Sequence, residues 1–184
     1  MLLILGNIAA HAAEPAKNNN WESLYNGRDL AGWTLMHDAS FVATNETLHL
    51  TGGLGWLRSD IEYGDFILEL EWRATEAGYD SGIFIRAGKD GKPWPDAAFQ
   101  INLAPAALGA LVKGNRTVVP AENSPVGVGK WVKFRIEARG KKLSLTVDGE
   151  NAWEYNNLEP ATGFLGIEAE NKAFEFRNIR LLRL

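Results

Sequence analysis

Acidic, basic and amide side chains recur at alternate positions along several short apolar segments of this chain. Glu71 and Arg73 are two residues apart, as are Glu168 and Glu170. Residues with this spacing share one face of a β-strand. A carboxylate held in this way can transfer a proton, while a cation or an amide can stabilise a negatively charged oxygen. The other polar positions of this kind are Arg86, Gln100 and Asn102.

These polar faces indicate either the floor of a substrate groove or an ordinary solvent-exposed surface. Lysine is absent from them and concentrates elsewhere in the chain, which favours a groove; the lysines concerned are Lys130, Lys133, Lys141 and Lys142. The alternative is an outer face covered by cross-strand Glu–Arg pairs, which are common in sheets. Both interpretations stay open on the sequence alone.

Composition limits the other kinds of site. The chain has no cysteine, which excludes a disulfide scaffold, a zinc–thiolate site and a cysteine nucleophile, and it has only 3 histidines. The sequence requires no cofactor, although clustered carboxylates could hold Ca²⁺ or another divalent ion through their oxygen atoms. Trp94 lies between Pro93 and Pro95, where it could stack on a sugar ring or anchor its loop to the sheet.

The elements that must position these residues are short β-strands. Apolar and polar residues alternate clearly in 65–73 and 132–139. Further short segments follow with turn residues about every 8–12 positions, a spacing typical of antiparallel sandwiches and barrels. We therefore predict an all-β fold of two packed antiparallel sheets. The predicted core between the sheets contains Phe66, Leu68, Leu70, Trp72, Phe134, Ile136 and Phe176.

The N-terminal residues differ in character from the rest of the chain. An apolar stretch ends at Ala10-His11-Ala12, a pattern of small residues typical of a signal-peptide cleavage site. We predict a signal peptide over 1–13, truncated at its start or complete, then a polar segment over 14–20 and one β-sandwich domain over 21–184. The protein is therefore expected to be secreted or periplasmic, through bacterial-type export.

Two signatures mark the ends of the predicted domain. The first is Trp21-Glu22-Ser23-Leu24-Tyr25-Asn26-Gly27-Arg28-Asp29-Leu30-Ala31-Gly32-Trp33, and the second is Phe176-Arg177-Asn178-Ile179. With the motifs between them, they resemble the 3-keto-disaccharide hydrolase domain family over 21–184. The resemblance implies a concanavalin A-like lectin/glucanase jelly roll with a concave sugar-binding face. The intervening motifs are Glu71-Trp72-Arg73, Asp80-Ser81-Gly82 with Arg86, Ala98-Phe99-Gln100, Gly109-Ala110-Leu111, Trp131-Val132 and Gly166-Ile167-Glu168-Ala169-Glu170-Asn171.

Several positions depart from the family pattern. Ala98 stands where the family has Glu, and Asp80 stands where it has Asn. Glu168 and Glu170 occupy the places of a Gln and a His in the late strand. A His base implied by the resemblance has no counterpart here, because no histidine follows His49. Glu170 is the residue that could have taken over this proton transfer.

The resemblance implies cleavage of 3-keto-glycosides or disaccharides, by elimination and then addition of water. For this chemistry we assign Glu71 as the base, with Glu170 as the alternative, Arg73 or Arg86 as the oxyanion stabiliser and Glu168 as the acid. We expect one concave polar pocket, lined by Glu71, Arg73, Arg86, Gln100 and Glu168, with Glu170 nearby. The expected catalytic residues are Glu71, Arg73 and Glu168. The expected substrate-binding residues are Asp80, Arg86, Trp94, Gln100, Asn102 and Glu170.

Ordinary glycoside hydrolysis is the second mechanism that the residues allow. It needs two carboxyls about 5–5.5 Å apart for retention, or about 6.5–9.5 Å apart for inversion. Glu69 and Glu71 are two residue rises apart on one strand, about 7 Å. Sequence spacing therefore leaves this mechanism open.

The charge balance narrows the choice of partners. With 19 basic and 23 acidic residues and a net charge of −4, the chain lacks the basic clusters of a nucleic-acid binder. No apolar stretch reaches the roughly 20 residues that a membrane span needs. The expected partner is a saccharide or glycoside substrate. The alternative function is a non-catalytic, lectin-like carbohydrate-binding module, because one sandwich fold can serve either purpose.

Overall fold

A computed structural model describes residues 20–44, 46–121 and 126–184, which form two antiparallel sheets. The predicted signal peptide over 1–13 lies outside the described residues. Sheet A contains, in spatial order, β13 (Glu150–Tyr155), β12 (Lys142–Val147), β11 (Val132–Arg139), β6 (Phe66–Ala74), β15 (Phe174–Arg183), β4 (Thr47–Gly52) and β3 (Ser40–Thr44), and β1 (Glu22–Ser23) also pairs with β15. Sheet B contains β10 (Arg116–Val119), β9 (Leu111–Lys113), β8 (Phe99–Asn102), β7 (Gly82–Ala87), β14 (Gly163–Glu170), β5 (Leu54–Tyr63) and β2 (Trp33–His37).

The fold is an all-β sandwich, as the alternation of apolar and polar residues predicts. No helix in the described ranges is long and apolar enough to cross a membrane. The two sheets bury one continuous core between their inner faces. All seven predicted core residues lie in it, each at most 2% exposed.

Aromatic rings fill the middle of this core. The Trp72 ring on β6 lies with its centroid 5.7 Å from that of Phe134 and 6.1 Å from that of Phe174. Phe174 and Phe176 stack at 5.9 Å along β15. Such rings bury large apolar areas, so they fix the inner face of sheet A and thereby the outward direction of the residues between them.

The outer faces of the two sheets point in opposite directions. On β6, Glu69, Glu71 and Arg73 alternate with core residues and face outward from sheet A. On β14, Glu168 and Glu170 face outward from sheet B, because Leu165, Ile167 and Ala169 belong to the core. The polar residues of β6 and β14 therefore lie on opposite sides of the sandwich.

Candidate functional site

Three carboxyl groups converge on the outer face of sheet B. Glu168 and Glu170 project from β14, and Asp80 comes from the residues just before β7. One carboxylate oxygen from each of the three lies within 4.8 Å of the others. Glu168 is only 4% exposed, whereas Asp80 and Glu170 are partly buried.

Strand pairing explains why Asp80 joins the other two carboxyls. Strands β7 and β14 are antiparallel, with Ile83 opposite Ile167, so the start of β7 lies beside the end of β14. Buried Ser81 strengthens this junction, because its hydroxyl donates a hydrogen bond of 2.8 Å to the carbonyl oxygen of Glu168. The loop before β7 is therefore tied to the strand that carries both glutamates.

Gln100 on β8 contacts the buried glutamate directly. Its side-chain amide Nε2 donates a hydrogen bond to Oε2 of Glu168. The amide passes over Gly82, which lies beside it in the sheet; a Cβ at Gly82 would overlap the Gln100 side chain. Gly82 thus keeps open the path by which Gln100 reaches Glu168. Nearby Asn102 accepts a hydrogen bond of 3.1 Å from the backbone N–H of Ala104.

An apolar cluster on the same outer face keeps Glu168 away from water. Trp56 on β5 lies directly opposite Glu168 in the strand register, and its ring is 5.7 Å from that of Phe84. Phe164 and Ala87 complete this cluster, against which Trp94 packs. Desolvation of this kind disfavours the charged form of a carboxyl group.

The three carboxyl groups hold their protons more tightly than ordinary side chains. Burial, and then the charges of Glu170 and Asp80, raise the pKa of Glu168 from 4.5 to about 8, against the opposing hydrogen bond from Gln100. Burial and the charge of Asp80 raise the pKa of Glu170. Burial also raises the pKa of Asp80. With a pKa of about 8, Glu168 holds its proton near neutral pH, and it lies beside two other carboxyl groups.

Two adjoining cavities open onto these groups, and we call them together the carboxylate groove. One has a volume of about 230 Å³ and is lined by Asp80, Asn102 and Glu170, among others. The other has a volume of about 210 Å³ and extends toward Phe84 and Lys92. Both cavities share Trp94, Gln100, Asn115 and Glu168. The groove therefore runs along sheet B past Glu168.

Trp94 anchors its loop to the sheet, which is one of the two roles that its position between two prolines allows. Its indole Nε1 donates a hydrogen bond of 3.2 Å to the carbonyl oxygen of Ala169, which fixes the loop to β14. The same side chain is partly buried and lines both cavities. The anchored ring forms a wall of the groove.

The prediction that Glu71 and Arg73 share a pocket with Glu168 is wrong. Arg177 Nε and Asn178 Nδ2 donate hydrogen bonds of 2.7 and 2.9 Å to the Glu71 carboxylate, and Arg73 pairs with Glu175. All of these groups lie on the outer face of sheet A. Alternation correctly places Glu71 and Arg73 on one face, but it does not tell which sheet contains their strand.

Arg86 does not line the groove either. It is 1% exposed, and its backbone φ of 47° departs from the extended conformation at the end of β7. The guanidinium donates hydrogen bonds to the carbonyl oxygens of Gly64, Gly140 and Pro160 and to the Asp65 carboxylate. Arg86 therefore ties together the loops at one end of the sandwich.

The structure brings together Asp80, Trp94, Gln100, Asn102, Glu168 and Glu170, and it adds residues that the sequence did not single out. Lys92 and Asn115 line the groove from the loops before β8 and after β9. Asn115 follows Gly114 in a turn, and a turn dipeptide signals a change of chain direction rather than a binding role. The position of Trp56 beside Glu168 could not be predicted either, because it depends on the register between two strands.

The same fold occurs in solved structures whose names describe either a glycosyl hydrolase or a carbohydrate-binding domain. It is similar to a provisionally named glycosyl hydrolase from Parabacteroides distasonis, at 15% identity and a TM-score of 0.76, over 91% of this chain and 95% of that one. The carbohydrate-binding module CBM66 from Bacillus subtilis is similar at 18% identity and a TM-score of 0.68, over 80% and 93% of the chains. The carbohydrate recognition domain of Emp47p is similar at 15% identity and a TM-score of 0.63, over 93% and 99%. These likenesses confirm the lectin-like jelly roll.

Comparison of the sequence with known proteins and protein families identifies the family of this chain. No curated protein sequence matches the chain significantly. The family model of the 3-keto-alpha-glucoside-1,2-lyase-like domain, however, matches residues 20–182, which include both end signatures. The chain therefore belongs to the family of 3-keto-alpha-glucoside-1,2-lyase-like domains.

Proposed function

We propose that the protein is a carbohydrate-active enzyme that cleaves the glycosidic bond of 3-keto-glycosides, with its active site in the carboxylate groove. The observation that carries the proposal is the placement of Glu168, whose pKa is raised to about 8, beside a second carboxyl, Glu170, on the same strand face. Carboxyl groups whose environments separate their proton affinities are suited to act as an acid and a base. Membership of the family supports the substrate class.

In the first proposed step, the Glu170 carboxylate takes the proton from C2 of the sugar. This proton is acidic because C2 is next to the C3 ketone, and the electron pair moves onto the ketone oxygen as an enolate. When the enolate collapses, the C3 carbonyl re-forms, a double bond forms between C1 and C2, and the bond from C1 to the leaving oxygen breaks. Glu168 protonates that oxygen, which departs as an alcohol.

Addition of water to the C1–C2 double bond completes a net hydrolysis. The hydroxyl group of the water goes to C1 and its proton to C2. The catalytic pair then returns to its starting state when the proton gained by Glu170 passes back to Glu168. The short separation of the two carboxyl groups, within 4.8 Å, favours this return through a single water or substrate hydroxyl.

The neighbouring side chains orient these groups. Because Gln100 donates to Oε2 of Glu168, the acidic proton resides on the other oxygen, Oε1. Trp94 offers a ring face to the apolar side of a sugar. With the predicted arginines placed elsewhere, the groups that can stabilise the enolate are the Lys92 ammonium and the Asn115 amide.

The same three carboxyl groups also meet the chemical requirements of a divalent cation. Ca²⁺ binds oxygen ligands at about 2.3–2.6 Å, and Asp80, Glu168 and Glu170 offer oxygens close enough together to share one ion. Such an ion would stabilise the enolate oxygen as a Lewis acid. It would also displace the proton of Glu168, so metal binding and the acid role of Glu168 exclude each other.

The decisive experiment measures release of the alcohol from a 3-keto-glucoside and from the matching unoxidised glucoside. We expect cleavage of the oxidised substrate only, with kcat falling as pH rises through about 8, where Glu168 loses its proton. Glu168→Gln should lower kcat about 10²–10⁴-fold. The matched control is Glu154→Gln, an exposed glutamate of sheet A paired with Lys142, which should retain full activity.

Three outcomes would contradict parts of this mechanism. Full activity of Glu168→Gln would refute the acid assignment. Activity that is lost in EDTA and restored by Ca²⁺ would assign Glu168 to metal binding instead. Absence of cleavage of every substrate, together with saccharide binding, would favour a second candidate function. That second candidate is a non-catalytic carbohydrate-binding module, which the placement of the Trp94 ring in the groove supports.

We also propose that the protein acts outside the cytoplasm. The support is the apolar stretch that ends at Ala10-His11-Ala12. N-terminal sequencing of exported protein should begin after Ala12 or Ala13. Exported protein that still begins at Met1 would refute the proposed signal peptide.

A further inference from the structure

We propose that the outer face of sheet A carries a second, non-catalytic site that binds an anionic saccharide, such as a glycoside of a uronic acid. The site is a cavity of about 580 Å³ on the side of the sandwich opposite the carboxylate groove. We call it the sheet A cavity. Its lining includes Trp21, Glu69, Glu71, Lys133, Asn178 and Arg180. The inference stands independently of the proposed catalysis, because it uses none of the groove residues.

An irregularity in β15 shapes the cavity. The strand pairs with β6 on both sides of a bulge between Arg177 and Arg180, and Asn178 in the bulge has a φ of 53°. Beyond the bulge, β1 begins to pair with β15, with Ser23 opposite Arg180. Bulges redirect side chains out of the regular pleat. Here the bulge places the Asn178 amide against Glu71 and leaves open space beside it.

The charges around the cavity do not balance. Glu69 is 7% exposed and accepts hydrogen bonds from Arg135 at 2.8 Å and Arg180 at 2.6 Å, and Lys133 Nζ lies 3.4 Å from its carboxylate. Glu71 forms an ion pair with Arg177 at 2.7 Å. Glu22, which also lines the cavity, pairs with Arg183 at 3.0 Å. Counted with these two residues, five cations surround three carboxylates. The excess of positive charge favours a ligand that carries an anionic group.

Lys133 and Arg180 are the cations best placed to receive this anionic group. Both line the cavity, and about half of each side chain is exposed. Arg180 uses Nε and Nη2 for Glu69, which leaves Nη1 with no hydrogen bond among the described residues. Lys133 has three N–H donors and a single carboxylate contact at 3.4 Å. Both side chains therefore have donors left for a carboxylate or a sulfate.

The rest of the lining fits a sugar ring better than a simple anion. The Trp21 ring is partly buried and held by the Arg180 guanidinium, which lies 4.6 Å from the ring centroid. Aromatic rings of this kind offer an apolar face at low conformational cost. The Glu71 carboxylate and the Asn178 amide add an acceptor and a donor, which suits hydroxyl groups because each hydroxyl both donates and accepts. A volume of about 580 Å³ also accommodates a mono- or disaccharide.

The experiment follows the Trp21 indole N–H signal by NMR during titration with methyl glucuronide, glucose 6-sulfate, methyl glucoside or inorganic sulfate. The signal is assigned from a Trp21→Phe variant. We expect the first two ligands to shift it at millimolar concentrations and to bind more weakly as salt rises, because screening weakens exposed charge pairs. Lys133→Gln should weaken binding about two- to fivefold. Lys142→Gln, an exposed lysine of β12, is the matched control and should have no effect.

Each outcome decides the proposal. A shift with glucuronide alone or with the sulfated sugar alone supports it and identifies the anionic group. Equal binding of neutral methyl glucoside refutes the role of charge, and an equal effect of inorganic sulfate refutes the role of the sugar. No shift with any ligand refutes the site. Binding should persist in Glu168→Gln, so failure of the catalytic proposal would leave this result unchanged.

Discussion

Replacing Glu168 by Gln should make the protein more stable in mildly alkaline solution, the reverse of the usual effect of removing a charged group. The pKa of Glu168 is raised from 4.5 to about 8 by burial and by the charges of Glu170 and Asp80. Between these values the folded protein holds a proton that the unfolded chain releases, so the wild type loses stability as pH rises from about 4.5 to about 8. At about 1.36 kcal/mol per pH unit, the loss amounts to about 5 kcal/mol.

Glutamine has nearly the same shape and never ionises, so this loss should disappear in the variant. The two proteins should have similar free energies of unfolding near pH 4, and the variant should exceed the wild type by up to about 5 kcal/mol near pH 9. Urea unfolding measured at a series of pH values between these limits provides the test. Parallel curves for the two proteins would refute the assignment of a raised pKa to Glu168.

Glu69 provides a control with the opposite sign. Burial raises its pKa, but hydrogen bonds from Arg180 and Arg135 outweigh this effect and hold the pKa below its ordinary value. The stability that Glu69 contributes is therefore present above the ordinary pKa of 4.5 and lost as pH falls through the folded value. Glu69→Gln should consequently be less stable than the wild type at neutral pH, and the difference should close in acid.

Three further substitutions test the rest of the structure. Gly166→Ala should destabilise the protein by about 1–3 kcal/mol in urea unfolding, because the new Cβ would overlap the Trp56 ring. The control is Gly88→Ala, which has open space around it and should change stability by less than about 0.5 kcal/mol. Arg86→Met should cost about 1–3 kcal/mol, because it removes the buried guanidinium that donates hydrogen bonds to the carbonyl oxygens of Gly64, Gly140 and Pro160. An unchanged stability would show that these loops hold without it. Glu71→Gln should leave turnover of a 3-keto-glucoside within about twofold of the wild type. A loss of about 10²–10⁴-fold would instead show that Glu71, on sheet A, is the catalytic base.

Local patterns were sufficient to predict the strands and the core. Along β6, Phe66, Leu68, Leu70 and Trp72 recur at every second position, which is the period of a strand with one buried face. Burial follows because apolar side chains leave water wherever the chain allows it. The convergence of Glu168 with Glu170 on one face could also be predicted, because it depends only on spacing within a strand.

The prediction of the active site was wrong where it depended on which strands pair with each other. Glu71 and Glu168 belong to similar amphipathic segments, and nothing local distinguishes the strand of sheet A from that of sheet B. The same limit applies to Arg86, whose left-handed backbone conformation takes its side chain out of the expected alternation. Lys92 and Asn115 reach the groove through loops, whose paths follow from the elements that they connect.

The sequence by itself therefore determined the class of fold, the composition of the core and the residues that can do chemistry, because each of these depends on periodicity or on residue type. Only the tertiary structure decided that Asp80, Glu168 and Glu170 meet while Glu71 lies across the sandwich. Pairing between distant segments fixes these neighbours. Their closeness, together with the dry apolar cluster around Trp56, then sets the protonation of Glu168, because desolvation and like charges act only over short distances.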